Sequence, residues 1–255
     1  MDRETTLILE NIALNDDHRM LKVHAPKLSA QARPGQFAEL ETKGATLLRK
    51  PISVAFCDPV KGEATFVFKI VGKGTIALAD LKPGQTLDII GPLGEGFKIK
   101  SKPALLIGGG VGTPPMWFLA SRIQDKGSVK VLLGARDQKD LILVDEFEKL
   151  GIKPILATDN GSRGVKGTVI DAISKSGLSM DGMEMYACGP FPMLRALAQL
   201  AEERDFSLQV SLEAYMGCGM GICVGCTVPT ANGMQRVCKE GPVFDSKEII
   251  WSKIR

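Results

Sequence analysis

The sequence predicts a β plus α/β protein with an N-terminal antiparallel β-barrel, a parallel α/β domain and a small cysteine-bearing C-terminal domain. Three observations predict it. Short apolar stretches broken by Gly, Pro and Asp fill the first hundred residues; apolar runs then alternate with helical stretches; and four of the 6 cysteines fall after residue 213. At 255 residues and 44% hydrophobic content, the chain has material for two compact cores and an appendage.

In the first region, "TTLILENIAL", "HRMLKVHAP", "GQFAEL", "ISVAFCD", "EATFVFKIVG" and "TLDIIGPLG" read as strands. Several alternate apolar and polar residues, and the turn signals are closely spaced, as in a small barrel or sandwich. "TIALADL" breaks the pattern and predicts a short helix ended by "KPG". From about residue 102, "PALLIGGG", "SVKVLLGA", "KPILATD" and "MEMYACGP" are runs suited to strands buried on both faces. Between them, "PPMWFLASRIQ", "LVDEFEKLG", "GTVIDAISKSG" and "FPMLRALAQLAEE" read as helices, which predicts a parallel sheet covered on both sides. "FSLQVSLEAYM" supplies a last strand. The expected domains are residues 1–101, 102–212 and 213–255, the last too small for a substantial core and expected to need a metal.

Cys218, Cys223, Cys226 and Cys238 have the spacing C-x4-C-x2-C-x11-C. The first three match the plant-type [2Fe-2S] spacing, in which four thiolates hold two bridged irons. Gly217, Gly219, Gly221 and Gly225 suit such a loop, because they permit positive φ and let backbone N–H groups approach sulfur. Structural zinc would favour paired knuckles, whereas Cys238 stands alone with no His after it. Disulfides suit a different redox compartment. Cys57 and Cys188 read as small buried hydrophobes.

"ALLIGGGVGTPPMWFL" reads as strand, glycine loop and helix. Gly108, Gly109, Gly110 and Gly112 would let backbone approach a phosphate, with Thr113 as N-cap and Pro114 in the first turn. The spacing is not G-x-G-x-x-G, and a plain tight turn remains the alternative. Cys188, Gly189 and Pro190 fall at the carboxyl end of a later strand, the edge where open α/β sheets bind ligands. In the barrel region, Arg49 or Lys50 could neutralise a pyrophosphate and Ser53 donate to it, unless the cations are simply solvated. "VGKGTIAL" places Gly74 and Thr75 before a helix as a second anion site. After the second α/β strand, Arg136 could meet a 2′-phosphate and Asp137 would repel one.

A formal charge of +3, spread rather than clustered, argues against nucleic acid as a partner. No run approaches the roughly 18 apolar residues of a membrane span. "MDRETTLILENIAL" lacks an apolar signal region, so a cytoplasmic protein is expected.

The order of parts resembles the ferredoxin-NADP reductase superfamily of flavoproteins: a barrel with an Arg-x-[Tyr/Phe]-Ser motif and Gly-x-Gly-Thr, then a glycine loop and Cys-Gly-Pro. "SLEAYMGCGMGICVGC" followed by "VCKEGPVF" narrows this, being similar to electron-transfer subunits of NAD-dependent (class 1B) dihydroorotate dehydrogenases. The resemblance implies FAD on Lys50, Pro51, Ile52, Ser53, Gly74 and Thr75, with Val67, Phe68 and Lys69 lining it. It implies NAD as substrate, its phosphates on Gly108 to Pro114 and its nicotinamide facing Cys188 to Pro190, and a [2Fe-2S] cluster on the four tail cysteines. Lys50 stands where the family normally has Arg, so flavin would be held more weakly unless Arg49 substitutes.

The implied oxidoreductase is a conduit in pyrimidine biosynthesis. Electrons from dihydroorotate, oxidised on an FMN-containing catalytic partner in a heterotetramer of two subunits each, pass through the cluster and FAD to NAD+. A flavin suits this junction because it exchanges electrons singly or in pairs. Met216, Met220, Ile222, Val243 and Phe244 would meet the partner or shield the cluster. A reductase subunit of another complex, serving a hydrogenase or a ferredoxin-linked transhydrogenase, is the alternative within the class. A zinc-stabilised nucleotide-binding regulator is the alternative outside it.

Overall fold

The computed structural model describes residues 1–254. β1 (Asp2–Ala13), β2 (His18–His24), β3 (Phe37–Leu40), β4 (Lys50–Asp58), β5 (Glu63–Lys69) and β6 (Thr86–Leu93) close into an antiparallel barrel in the order β1-β2-β5-β4-β3-β6. Alternation drives the closure: along β1, Thr6 and Ile8 are buried while Thr5 and Leu7 are exposed, so one face fills the barrel. Closing the sheet leaves it without a free edge.

Two helices accompany the barrel. α1 (Pro26–Gln31) escapes sequence reading because six residues make too few turns to show a period; Leu28 anchors it in the barrel core. α2 (Lys73–Ala79) begins two residues earlier than "TIALADL" suggests. Thr75 Oγ1 accepts the N–H groups of Val71 (2.9 Å) and Gly72 (3.2 Å), which folds Lys73 and Gly74 into the first turn.

The second region alternates as expected, with β7 (Ala104–Gly109), α3 (Thr113–Arg122), β8 (Val129–Ala135), α4 (Val144–Lys149), β9 (Ile155–Thr158), β10 (Val165–Lys166), α5 (Val169–Lys175), β11 (Glu184–Cys188), α6 (Phe191–Glu203) and β12 (Ser207–Ser211). The strands lie in the order β10-β9-β8-β7-β11-β12 and run parallel. β7 and β11 are buried along their whole lengths, as strands covered on both faces must be.

The barrel and this sheet are joined firmly. Trp117 on α3 stacks on Phe56 of β4 with ring centroids 4.7 Å apart. The connecting strand of chain is fastened to the sheet: Lys98 N donates to Gln209 Oε1 (2.9 Å), Gln209 Nε2 to Lys98 O (2.9 Å), and Lys100 N to the Tyr186 hydroxyl (3.1 Å).

The C-terminal segment adds the hairpin β13 (Thr227–Thr230) and β14 (Gly233–Arg236), then β15 (Val243–Asp245). β15 pairs antiparallel with β12 as a seventh strand of the large sheet. Cys226, Val228, Val237, Cys238, Phe244 and Ile249 pack into the same core as Ile107 and Val210, so the segment is anchored on its neighbour's core instead of building one of its own. Among the described residues, no helix is long and apolar enough to cross a membrane.

Candidate functional site

Three sets of residues converge around the barrel. In the first, Lys50, Pro51, Ile52 and Ser53 form the half-exposed start of β4. The Lys50 side chain lies over Gly74 at the start of α2, where a Cβ would strike it, so the glycine makes room for the cation. Lys50 and Gly74 are thereby brought together. Arg49 is committed elsewhere: it pairs with Asp88 and donates to Asp88 O (3.0 Å), so it is not free to substitute for Lys50. Thr75 spends its hydroxyl on the turn amides. Of the β5 residues, Phe68 points into the barrel core, while Val67 packs toward the α/β domain, as opposite faces of a strand require. Lys69 pairs with Asp17 (3.0 Å) and reaches the wall of the second site.

That second site is a cavity of about 480 Å³ at the carboxyl ends of β7, β8, β9 and β11. Gly109, Gly110 and Pro190 line it; Gly108, Gly112, Thr113, Pro114, Cys188 and Gly189 do not. The loop glycines divide their work. A Cβ on Gly108 would come 2.9 Å from Thr113 Cα, and one on Gly112 would collide with the Cys188 carbonyl, so both exist for close packing. Gly110 has φ +53 with open space beside it and presents backbone to the cavity. Thr113 is not the N-cap. The 3-10 turn Gly110–Gly112 runs straight into α3, leaving Gly112 at the cap without a side-chain bond.

Cys188 is buried, and loss of solvent pushes its thiol up to about 12. It stays protonated at neutral pH, and through its carbonyl it packs the loop. Glu213 lies close enough to act on that thiol; its own carboxyl is raised by desolvation even though part of the side chain stays accessible. The barrel supplies the far wall with His18 and Lys69. His18 Nδ1 lies 2.9 Å from Asn15 Oδ1, an acceptor, and burial followed by the Lys69 charge lowers the imidazole pKa, so it is held neutral with its proton on Nδ1.

The third set is the cysteine loop. The cysteines fall into two pairs: the Cys223 N–H donates to Cys218 Sγ and the Cys238 N–H to Cys226 Sγ. The first pair lies toward the surface and the second is buried. Among the described residues, no three His, Cys, Asp or Glu side chains converge as on a single ion. Two pairs suit two bridged irons better than one tetrahedral ion.

Backbone amides serve the sulfurs. Met220, Ile222 and Cys223 N–H groups lie 3.4, 3.3 and 3.4 Å from Cys218 Sγ, and Cys238 N lies 3.4 Å from Cys226 Sγ. These bonds, the Cys223 amide foremost, bring Cys218 down to about 6. Positive φ at Gly219 (+66) and Gly221 (+81) turns the amides inward. Arg236 braces the loop, donating to Gly221 O (2.7 Å) while ion-paired with Glu240, whose carboxyl it holds near 2.

Sequence reading missed Glu39. On β3 it faces Pro51 of β4 in register, and its side chain packs on Gly219, so cysteine loop and Lys50–Ser53 segment sit on adjacent strands. It is 4% exposed, its Oε1 has no hydrogen-bond partner, and burial pushes its carboxyl up to about 7 against the opposing pull of Arg49. Val243 and Phe244 are buried in β15 and cannot meet a partner; Met220, Ile222, Val224 and Met234 are exposed around the loop instead.

Family models match two of the three parts. Residues 213–250 match the iron-sulfur cluster binding domain of dihydroorotate dehydrogenase B, and residues 106–199 the oxidoreductase NAD-binding domain. The dihydroorotate dehydrogenase B (NAD(+)) electron transfer subunit of Bacillus caldolyticus is 41% identical over 229 residues, covering 86% of this chain and 87% of the relative. That of Shouchella clausii is 36% identical over 257 residues, covering 96% of each. Among solved structures, a chain of the NADH-dependent reduced ferredoxin-NADP oxidoreductase, studied for flavin-based electron bifurcation, superposes with a TM-score of 0.88 at 33% identity, covering 97% of this chain and 90% of that one.

Proposed function

This chain belongs to the family of dihydroorotate dehydrogenase B (NAD(+)) electron transfer subunits, and on that premise we propose that it carries electrons from a dihydroorotate-oxidising catalytic subunit, through a [2Fe-2S] cluster and FAD, to NAD+ in pyrimidine biosynthesis. The finer assignments are that the partner holds FMN, that two of each subunit assemble, and that Cys218, Cys223, Cys226 and Cys238 hold the cluster. Lys50 to Ser53 with Gly74 and Thr75 hold FAD, and Gly109, Gly110 and Pro190 border NAD.

The observation that supports this reading best is adjacency. The cysteine loop touches β3 through Glu39, β3 pairs with the Lys50–Ser53 segment, and the glycine-loop cavity is walled by the barrel's own His18 and Lys69. When bound, the cluster supplies single-electron exchange and the flavin converts it to hydride transfer. The protein's residues do the rest. Lys50 offers its ammonium to the flavin phosphates, the Thr75 hydroxyl fixes the turn that Gly74 opens, and Gly110 presents backbone to the NAD phosphates. Cys188, buried behind the cavity wall, holds the glycine loop through its carbonyl against Gly112.

An anaerobic absorption spectrum before and after NADH, with iron and acid-labile sulfide assayed on the same sample, tests the relay. Flavin bands over an iron-sulfur background, both bleached by NADH, are expected; a colourless zinc protein would end this reading. The likeness to the ferredoxin-linked oxidoreductase favours a second partner class. Co-purification with a dihydroorotate-oxidising flavoprotein decides between them, because the second class predicts a partner without that activity.

A further inference from the structure

The NAD cavity contains a detail that bears on which nicotinamide dinucleotide it accepts. With the phosphates at Gly109 and Gly110, the nicotinamide lies on the Pro190 side of the glycine loop, at the end of β11. The adenosine half then extends the other way along the sheet, over the ends of β8 and β9, where Arg136, Asp140, Asp159 and Thr168 line the wall. The ribose 2′ position therefore falls among Arg136, Asp140 and Asp159, the usual place for this discrimination in doubly wound sheets.

Arg136 alone would invite a 2′-phosphate. It is not alone: its Nε and Nη2 both donate to Asp140 Oδ2, at 3.0 and 2.8 Å. The other lysine or arginine on the wall, Lys69, is likewise paired, with Asp17. Asp159 adds a further carboxylate. The Lys69–Asp17 pair at the barrel wall beside them is neutral, so Arg136, Asp140 and Asp159 leave a net charge of −1, and a dianionic phosphate there would meet net repulsion. Asp137, the acid expected from the sequence to repel it, does not line the cavity. Its Oδ1 accepts the N–H groups of Lys139 (2.8 Å) and Asp140 (3.3 Å), capping a 3-10 turn, and this turn presents Asp140 instead.

We propose that Asp140 is a specificity-determining residue: by holding Arg136 in an ion pair and placing its own carboxylate beside the ribose, it selects a dinucleotide with a free 2′-hydroxyl and rejects the 2′-phosphorylated form. The proposal rests on the reading of this cavity as the NAD site.

Calorimetric titration of the holoprotein with 5′-ADP and with adenosine 2′,5′-bisphosphate tests it, alongside kcat/KM for NADH and NADPH. In the wild type, 5′-ADP binds the more tightly. Asp140→Asn, which keeps shape and removes charge, should raise the affinity for the bisphosphate relative to 5′-ADP about tenfold or more, the equivalent of one well-placed charge interaction. Adding Arg136→Ala to that variant should abolish the gain. An unchanged preference in Asp140→Asn, or a gain that survives loss of Arg136, overturns the proposal. If NADH and 5′-ADP bind nowhere on the wild type, the reading of the cavity itself falls, and the proposal with it.

Discussion

The loop after β7 and the cysteine loop are both rich in glycine, yet glycine does different work in each. Gly108 and Gly112 are bare because Thr113 and the Cys188 carbonyl already occupy the space a Cβ would take. Gly221 is bare because φ of +81 is needed to turn amides toward sulfur, and Gly219 both for its φ of +66 and because the Glu39 side chain fills the space of a Cβ. The first loop is packed by protein atoms at Gly108 and Gly112 and opens only at Gly110, toward the cavity. The second is shaped by amides turned toward the Cys218 and Cys226 sulfurs, and half of it faces solvent. A motif's glycines therefore say little until one knows whether space or torsion demanded them.

Breaking the metal side of this contrast should have the largest effect. Cys226→Ser removes a proposed buried ligand: iron and sulfide content should fall to near zero, while 5′-ADP binding at the proposed NAD loop survives. Loss of both together would show that the two loops fold as one unit. Gly112→Val comes next, because its side chain must displace backbone. It should destabilise the chain by roughly 3 kcal/mol or more, read as a shift in the urea midpoint.

Glu39, under Gly219, gives a smaller effect with a defined pH signature. Its carboxyl is raised to about 7 in the folded chain from an ordinary 4.5, so the unfolded chain releases this proton first and stability falls as pH climbs from about 4.5 to about 7. Glu39→Gln removes that loss. Its thermal midpoint should match the wild type near pH 5 and exceed it near pH 8, by the equivalent of about 2 to 3 kcal/mol. An equal difference at both pH values would contradict the assignment. Gly221→Ala should be mildest, about 1 kcal/mol of backbone strain, since the neighbour a Cβ meets is the flexible Lys239 side chain; a larger loss would mean that space as well as torsion is at stake there.

Local patterns made much of this molecule legible in advance. The barrel strands show alternation, the parallel strands show uninterrupted apolar runs, and the cysteine spacing is a feature of the chain itself. What escaped depends on partners distant in sequence. β15 is three residues long and exists because β12, some thirty residues earlier, offers it an edge. Glu39 matters only because β3 passes under Gly219, and His18 only because the β1–β2 turn reaches the α/β domain, where Asn15 Nδ2 donates to Lys139 O at 2.7 Å. Asp137 and Asp140 are chemically identical in the sequence. A cap that consumes one and exposes the other is a three-dimensional fact.

The pairing of β12 with β15 has one more consequence. Leu212 N donates to Pro242 O at 2.9 Å, so the chain leaves the sheet and returns to it at neighbouring points, and residues 213–241 form a closed excursion. Such a segment is a cassette. Its exposed tip can change in length at little cost, because closure entropy changes only slowly with length, while Cys226, Val228, Val237 and Cys238 fix its base in the neighbouring core. All four cysteines of the tail thus enter the chain in one excursion between two adjacent strands.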